Sequence, residues 1–377
     1  MCESGLNTFT DSDKFCVKNS YKSDKIPLAF PLVLIRGERQ TSQVAAKWLL
    51  IETVGGATPS IVGMGSTPRK FTALDKFFKG KDALNEVYSV IVEVMASPSA
   101  IDRVSDDGRR RTIVEPLLTF AGRMHGMYLW TGSPEEVVPK RDPAGAWLFN
   151  LTASKASGSN DLLDLYAVPE NERHTEKAMA GAFTRLETNS DEAEALVKII
   201  QSAPGTIHQA VWNVRRDDDE LRAAHFSCRM LEEIDPDSGR REVILRGITQ
   251  DIGPSIDVSA APPPIVLEHR VLEAVTEEGV HRAICNLRTF QLIRWMGPPL
   301  PDVAWEWVDD QPEPGMHPDD IALARAMSAN LARGKSEGVL RFRKLDGEWQ
   351  KCHVEARLMA LDQHTTAGLV TVRAAAS

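Results

Sequence analysis

Residues 210–251, AVWNVRRDDDELRAAHFSCRMLEEIDPDSGRREVILRGITQD, decide the fold. Apolar and polar residues alternate through this stretch with the two-residue period of strands whose faces differ. Acidic residues at 217–219 and the segment 235–239 interrupt the alternation, as turn residues do. The stretch predicts three strands, 210–216, 221–234 and 241–249, joined by two turns. Sliding the chain by 128 positions superposes it on a later copy. Arg215-Arg216 then falls on Arg343-Lys344, Asp218 on Asp346, Glu220 on Glu348, His225 on His353 and Arg229 on Arg357. A weaker copy precedes it, where Asp107-Gly108 matches Asp346-Gly347 and a strand follows at 112–118. Each copy closes on a strand that carries a glycine: Gly126, Gly247 and Gly368. Copies of ~100 residues are tandem domains rather than solenoid repeats.

The last two copies resemble PAS domains of one subtype. Its second half is a basic strand, a DG-type turn, a long strand, a second turn and a closing strand ending G-x-x-x-D-I. Here that ending is Gly247–Ile252, GITQDI. His317-Pro318-Asp319-Asp320 is similar to the HPDD that opens the subtype's last helix. The second copy reads Thr188-Asn189-Ser190-Asp191 at that position and keeps only the helix-opening aspartate. The resemblance covers 145–252 well and 280–373 in part, because 296–317 is short and proline-rich. Residues 48–132 resemble a more divergent PAS- or GAF-like module. The resemblance implies an α+β fold: three tandem PAS-like domains, each a five-stranded antiparallel sheet with helices on one face enclosing a small cavity. It also implies a sensing and dimerising role.

On this reading residues 1–43 are a flexible tail, 44–132 the divergent domain and 133–144 a linker. Residues 145–254 are a PAS-like domain, 255–264 a proline-rich linker, and 265–377 a third domain with a lead-in helix at 266–274. Helical spacing is read at 71–78, 82–96, 160–165, 177–186, 191–202 and 318–333, with a helical turn at 303–308.

Composition narrows the function classes. A formal net charge of −9 argues against nucleic acid as partner, since phosphate binding needs a basic face. No stretch reaches the ~18 apolar residues of a membrane helix; residues 26–35 are the nearest approach and carry two prolines. A secretory signal is not expected, because the first residues lack a basic region. Five cysteines with no CxxC pair predict reduced thiols and a cytoplasmic protein. The chain closes four residues after Arg373, so an output by protein contact or self-association is expected rather than a fused effector.

Candidate site residues follow from the strand period. Phe226, Cys228 and Met230 share the apolar face of the long strand, and with Phe149 and Trp212 they are the cavity candidates of the second domain. Ile293, Phe342 and Val354 are their counterparts in the third. His225 and Arg229, and likewise His353 and Arg357, lie on the opposite, polar face. They are read as interface residues rather than metal or haem ligands, and replacing His225 and Arg229 with alanine is expected to alter packing with little loss of fold. Neither HxxxH, HExxH nor a Cys/His cluster occurs, and no G-x-S-x-G or phosphate-binding glycine loop. No metal and no catalytic residue are therefore assigned. The sequence requires no cofactor. The leading expectation is a non-catalytic sensor or regulator that binds a small molecule or partner proteins. Its alternatives are a haem- or flavin-bearing sensor and a small-molecule enzyme on the same scaffold.

Overall fold

The computed structural model describes residues 46–56, 58–187, 192–255, 277–308 and 311–375. The expected tail, the lead-in helix at 266–274, nearly all of the proline-rich linker and the Thr188–Asp191 motif lie outside the described residues.

The first domain is a six-stranded sheet of β1 (Leu49–Glu52), β2 (Ser60–Met64), β3 (Thr67–Ala73), β4 (Ile101–Val104), β5 (Arg111–Leu118) and β6 (Met124–Gly132), in the order β3-β2-β1-β6-β5-β4. Between β3 and β4 come a short helix α1 (Leu74–Phe77) and the helix α2 (Lys81–Ala96). Helix α2 forms because Val87, Val90, Ile91 and Val94 make one apolar stripe, which is buried on the sheet with Leu49, Ile51, Met127 and Leu129.

The second domain repeats the plan with β7 (Ala144–Asn150), β8 (Lys155–Gly158), β9 (Lys177–Ala178), β10 (Ile207–Arg215), β11 (Leu221–Ile234) and β12 (Arg241–Pro254), ordered β10-β11-β12-β7-β8-β9. Its helices are α3 (Asn160–Leu165), α4 (Met179–Ala182) and α5 (Glu192–Gln201). Ser159 caps α3, its hydroxyl accepting from the Leu162 N–H.

The third domain has β13 (His281–Cys285), β14 (Leu292–Trp295), helix α6 (Ile321–Asn330), β15 (Ser336–Arg343), β16 (Trp349–Ala360) and β17 (Thr366–Ala374), ordered β14-β13-β17-β16-β15. In every domain the first strand pairs antiparallel with the last, so the same connectivity occurs three times. Registers agree as well. His225 lies opposite Val211 and His353 opposite Val339, the same 128-residue displacement found in the sequence. His317 accepts the Asp319 N–H through Nδ1 and its ring meets Trp349 edge-on at 4.6 Å, so it fixes a helix start.

The expected fold class needs correction. The sheets have six, six and five strands rather than five each, and the described residues are 43% strand against 21% helix, mostly sheet with sparse helices. Two edge strands account for the difference. β3 begins Thr67-Pro68-Arg69-Lys70, which reads as a loop, but a sheet edge tolerates proline because one side of the strand needs no donor. β9 takes the first two residues of the expected helix 177–186, leaving only the four-residue α4. Residues 303–308 are not helical; Val303 instead bridges to Lys344.

Nor do the helices lie against an otherwise solvated sheet. The second face of the first sheet is buried on the second face of the second sheet. Trp48, Leu50, Val62, Leu117, Tyr128 and Trp130 meet Ala144, Ala146 and Ile248 there. This seam is two-sided sheet packing. A Cβ on Gly126 would lie 2.3 Å from the Ile51 carbonyl oxygen and 2.7 Å from Ile248 Cδ1. Only glycine fits that approach.

Candidate functional site

The helix-bearing face of the second sheet encloses a cavity of about 140 Å³. Its floor is built by strand alternation. β7 contributes Trp147 and Phe149, β10 contributes Trp212, and β11 contributes Phe226, Cys228 and Met230. Helices α3, α4 and α5 close it with Leu162, Gly181, Ala195 and Ile199. The aromatic rings touch one another: Trp147 and Phe149 at 4.8 Å between centroids, Trp212 and Phe226 at 6.2 Å. Trp147 lies over Gly247 of the neighbouring strand, where a Cβ would fall 2.2 Å from the indole. Burial pushes the Cys228 thiol up to about 12, which makes it a small apolar wall group rather than a nucleophile.

The wall is also polarised. His174, Lys177, Arg185, Lys198 and His208 line the cavity, and among the described residues no aspartate or glutamate does. Arg185 makes a bidentate pair with Asp217 at 2.8 and 2.7 Å. Lys198 donates to Glu194 at 2.5 Å and lies 2.9 Å from His208 Nδ1. Lys177 forms no ion pair among the described residues. Burial, and then the charge of Arg185, lower its pKa. The indole N–H groups of Trp147 and Trp212 have no hydrogen-bond partner among the described residues, and the two side chains are 7% and 5% exposed.

The cavity's walls also bear the third domain. The Ala178 N–H, at the start of α4, donates to Glu306 Oε2 at 3.1 Å. A Cβ on Gly181 would lie 2.2 Å from Glu306 Oε1. Burial raises the Glu306 pKa, with the Ala178 N–H acting against it. Lys155 Nζ stacks on the Trp307 ring at 4.4 Å. From α5, the Ile200 carbonyl accepts from Arg288 Nη2 at 2.7 Å, Gln201 Nε2 donates to Thr365 at 2.8 Å, and Glu192 pairs with Arg294. One apolar cluster runs from Trp147 and Trp212 through α5 to Ile284, Ile293 and Ala367 of the third sheet.

Phe149, Trp212, Phe226, Cys228 and Met230 all line this cavity. Ile293 does not; it is buried in the cluster shared with the second domain. Val354 is in the third domain's own core with Phe342 packed against it. His225 and Arg229 face the first sheet. Arg229 makes a bidentate pair with the buried Glu52 at 2.9 and 2.9 Å, and its guanidinium lies 4.6 Å from the Phe71 ring. Their copies His353 and Arg357 are solvent-exposed on β16. The same face is a seam in one domain and open in the other. Lys177, Arg185 and Glu306 were not expected from sequence, because their roles depend on long-range folding; the Trp305-Glu306-Trp307 triplet was the available signal. Among the described residues no group of three His, Cys, Asp or Glu side chains gathers to hold a metal ion. No helix of the described residues is long and apolar enough to cross a membrane.

The seam makes a pH prediction. Burial pushes His225 down to about 4, and His125 likewise to about 4 although its Nδ1 meets the Gly247 carbonyl oxygen at 3.1 Å. The unfolded chain binds these protons first, near the ordinary 6.5. Stability is therefore full above that pH and falls as pH drops from 6.5 to 4, by on the order of 3 kcal/mol for one histidine. Urea midpoints should fall over that window, and His225→Gln should flatten the curve. An unchanged slope in the variant would remove His225 from this account.

Three family models match the chain in order: the Rv3651-like N-terminal domain over residues 47–140, the middle domain over 143–251 and the C-terminal domain over 266–377. A crystal structure of an uncharacterized protein from Mycobacterium tuberculosis is similar at 25% identity, covering 88% of this chain and 96% of that one, with a TM-score of 0.76. The N-terminal domain of a diguanylate cyclase with PAS/PAC sensor from Marinobacter aquaeolei is similar at 20% identity over 29% of this chain and 95% of that one. A sensory box histidine kinase/response regulator from Burkholderia thailandensis is similar at 14% identity over 36% and 93%. The TM-score is 0.24 for both. No curated protein matches the chain.

Proposed function

The chain belongs to the Rv3651-like family, with all three of its domains in order, and from that premise we propose that it is a non-catalytic sensor. Its middle domain binds a small ligand, and its third domain passes the bound state to a partner protein or a second copy. The observation that carries this reading is the double use of α4 and α5. Each lines the cavity on one side and bears the third domain on the other. A ligand that differs in affinity between two arrangements of those helices shifts the third domain's equilibrium by that difference.

The PAS-like character of the modules supports the same role. It rests on the repeated strand order and on the GITQDI and HPDD segments. A haem- or flavin-bearing sensor is not favoured, because about 140 Å³ corresponds to roughly one aromatic ring. An enzyme is not favoured either, since the cavity's floor is aromatic and its thiol is held protonated.

A double-mutant cycle tests the coupling. Ala210→Phe fills the cavity, and Glu306→Gln weakens the contact from the third domain. Their effects on unfolding free energy should depart from additivity by more than about 0.5 kcal/mol. Additivity within that limit would separate the cavity from the third domain and sink the reading.

A further inference from the structure

The charge pattern of the cavity specifies more than a small ligand. Its floor is made of flat aromatic faces, and its volume of about 140 Å³ is close to what one benzene-sized ring occupies. Its polar lining is donor-rich, with five basic side chains and no carboxylate among the described residues. The cations are not equally engaged. Asp217 already neutralises Arg185 in a bidentate pair, and Glu194 pairs with Lys198. Lys177 is half-buried beside Arg185 and has no ion-pair partner among the described residues. The charges of Glu306, which reaches in from the third domain and accepts the Ala178 N–H through Oε2, and of Asp217 and Glu172 favour the charged Lys177 from a distance, without a direct ion pair to it among the described residues. A partly desolvated ammonium beside a second cation is costly until an anion joins it.

We infer that the middle-domain cavity takes a one-ring aromatic carboxylate, its ring against Trp147, Phe149 and Trp212 and its carboxylate at Lys177 and Arg185. The proposal rests on the sensor reading above and adds to it the class of ligand. The acid fits the site in both halves. The ring satisfies the apolar floor, and the carboxylate supplies the direct ion-pair partner that Lys177 lacks among the described residues. A charge-assisted hydrogen bond from Lys177 distinguishes it from a neutral molecule of the same shape.

Benzoate and toluene are the matched probes, titrated into the full chain by calorimetry and by ligand-observed NMR. Benzoate should bind at one site at least about tenfold more tightly than toluene, the size of one charged hydrogen bond. Lys177→Met should abolish that preference while leaving toluene binding intact, Lys177→Arg should retain it, and Ala210→Phe should block both probes. Toluene binding as tightly as benzoate to the wild type would overturn the carboxylate class and leave the cavity's sensor role standing. Failure of both probes at millimolar concentration would overturn the ligand class together with the sensor reading. A benzoate preference that survives Lys177→Met would place the anion elsewhere and overturn the assignment.

Discussion

Arg229→Ala should destabilise the protein by roughly 3–5 kcal/mol, the cost of leaving a buried carboxylate without its partner. Glu52 is 1% exposed, and its two carboxylate oxygens accept from Arg229 Nε and Nη2. Its Oε1 also accepts the Val54 N–H at 2.7 Å. Burial raises the Glu52 pKa, and the Arg229 hydrogen bonds are the largest effect holding it down. Without Arg229 the carboxyl rises further, and the folded state takes up a proton that the unfolded state releases. Stability of the variant should therefore fall as pH rises above the ordinary 4.5, so that the loss is smaller at pH 5 than at pH 8. Glu52→Gln in the same background should recover part of it. Chemical denaturation at the two pH values measures both effects; a loss under 1 kcal/mol at pH 8 would show that water reaches the carboxylate. The expectation that His225 and Arg229 could be removed with little loss of fold does not survive this contact.

Trp130→Ala should cost a similar 3–5 kcal/mol, as removal of a large side chain from a core does. Trp130 is 0% exposed, packs in the seam between the first two sheets and donates its indole N–H to the Ala46 carbonyl at 3.2 Å. Its ring lies on Gly132, where a Cβ would fall 2.5 Å from it. The loss should appear as one cooperative transition shifted to lower urea, since the seam joins both domains' cores. A second, earlier transition confined to the first domain would show instead that the two sheets unfold separately. Combined with Arg229→Ala, the effects should not add, because both act on the same seam.

Much of this was legible in the sequence, for a physical reason. Strand period places side chains by parity alone, so Phe226, Cys228 and Met230 could be set toward a cavity and His225 and Arg229 away from it without any structure. Repetition then fixed the paired hairpins, down to His225 opposite Val211 and His353 opposite Val339. Parity cannot say what covers a face. The same polar face is sealed by another sheet in the second domain and bare in the third, and nothing local to Arg229 or Arg357 differs enough to tell them apart. Edge strands were illegible for a related reason. β3 carries Pro68 and β9 is two residues long, and both exist because a neighbouring strand offers them a ladder. The site's charged groups were hidden by distance in sequence: Lys177, Arg185 and Glu306 come from segments that read as helix or helical turn.

The cavity and the third domain share the walls formed by α4 and α5. Amide hydrogen exchange on the wild type and on Ala210→Phe tests it most directly. Protection should change not only in Glu192–Gln201, which lines the cavity, but also in His281–Cys285 and Leu292–Trp295 of the third sheet, which lie in the cluster α5 joins. Changes confined to residues 144–254, with exchange across 277–375 unaltered, would contradict it.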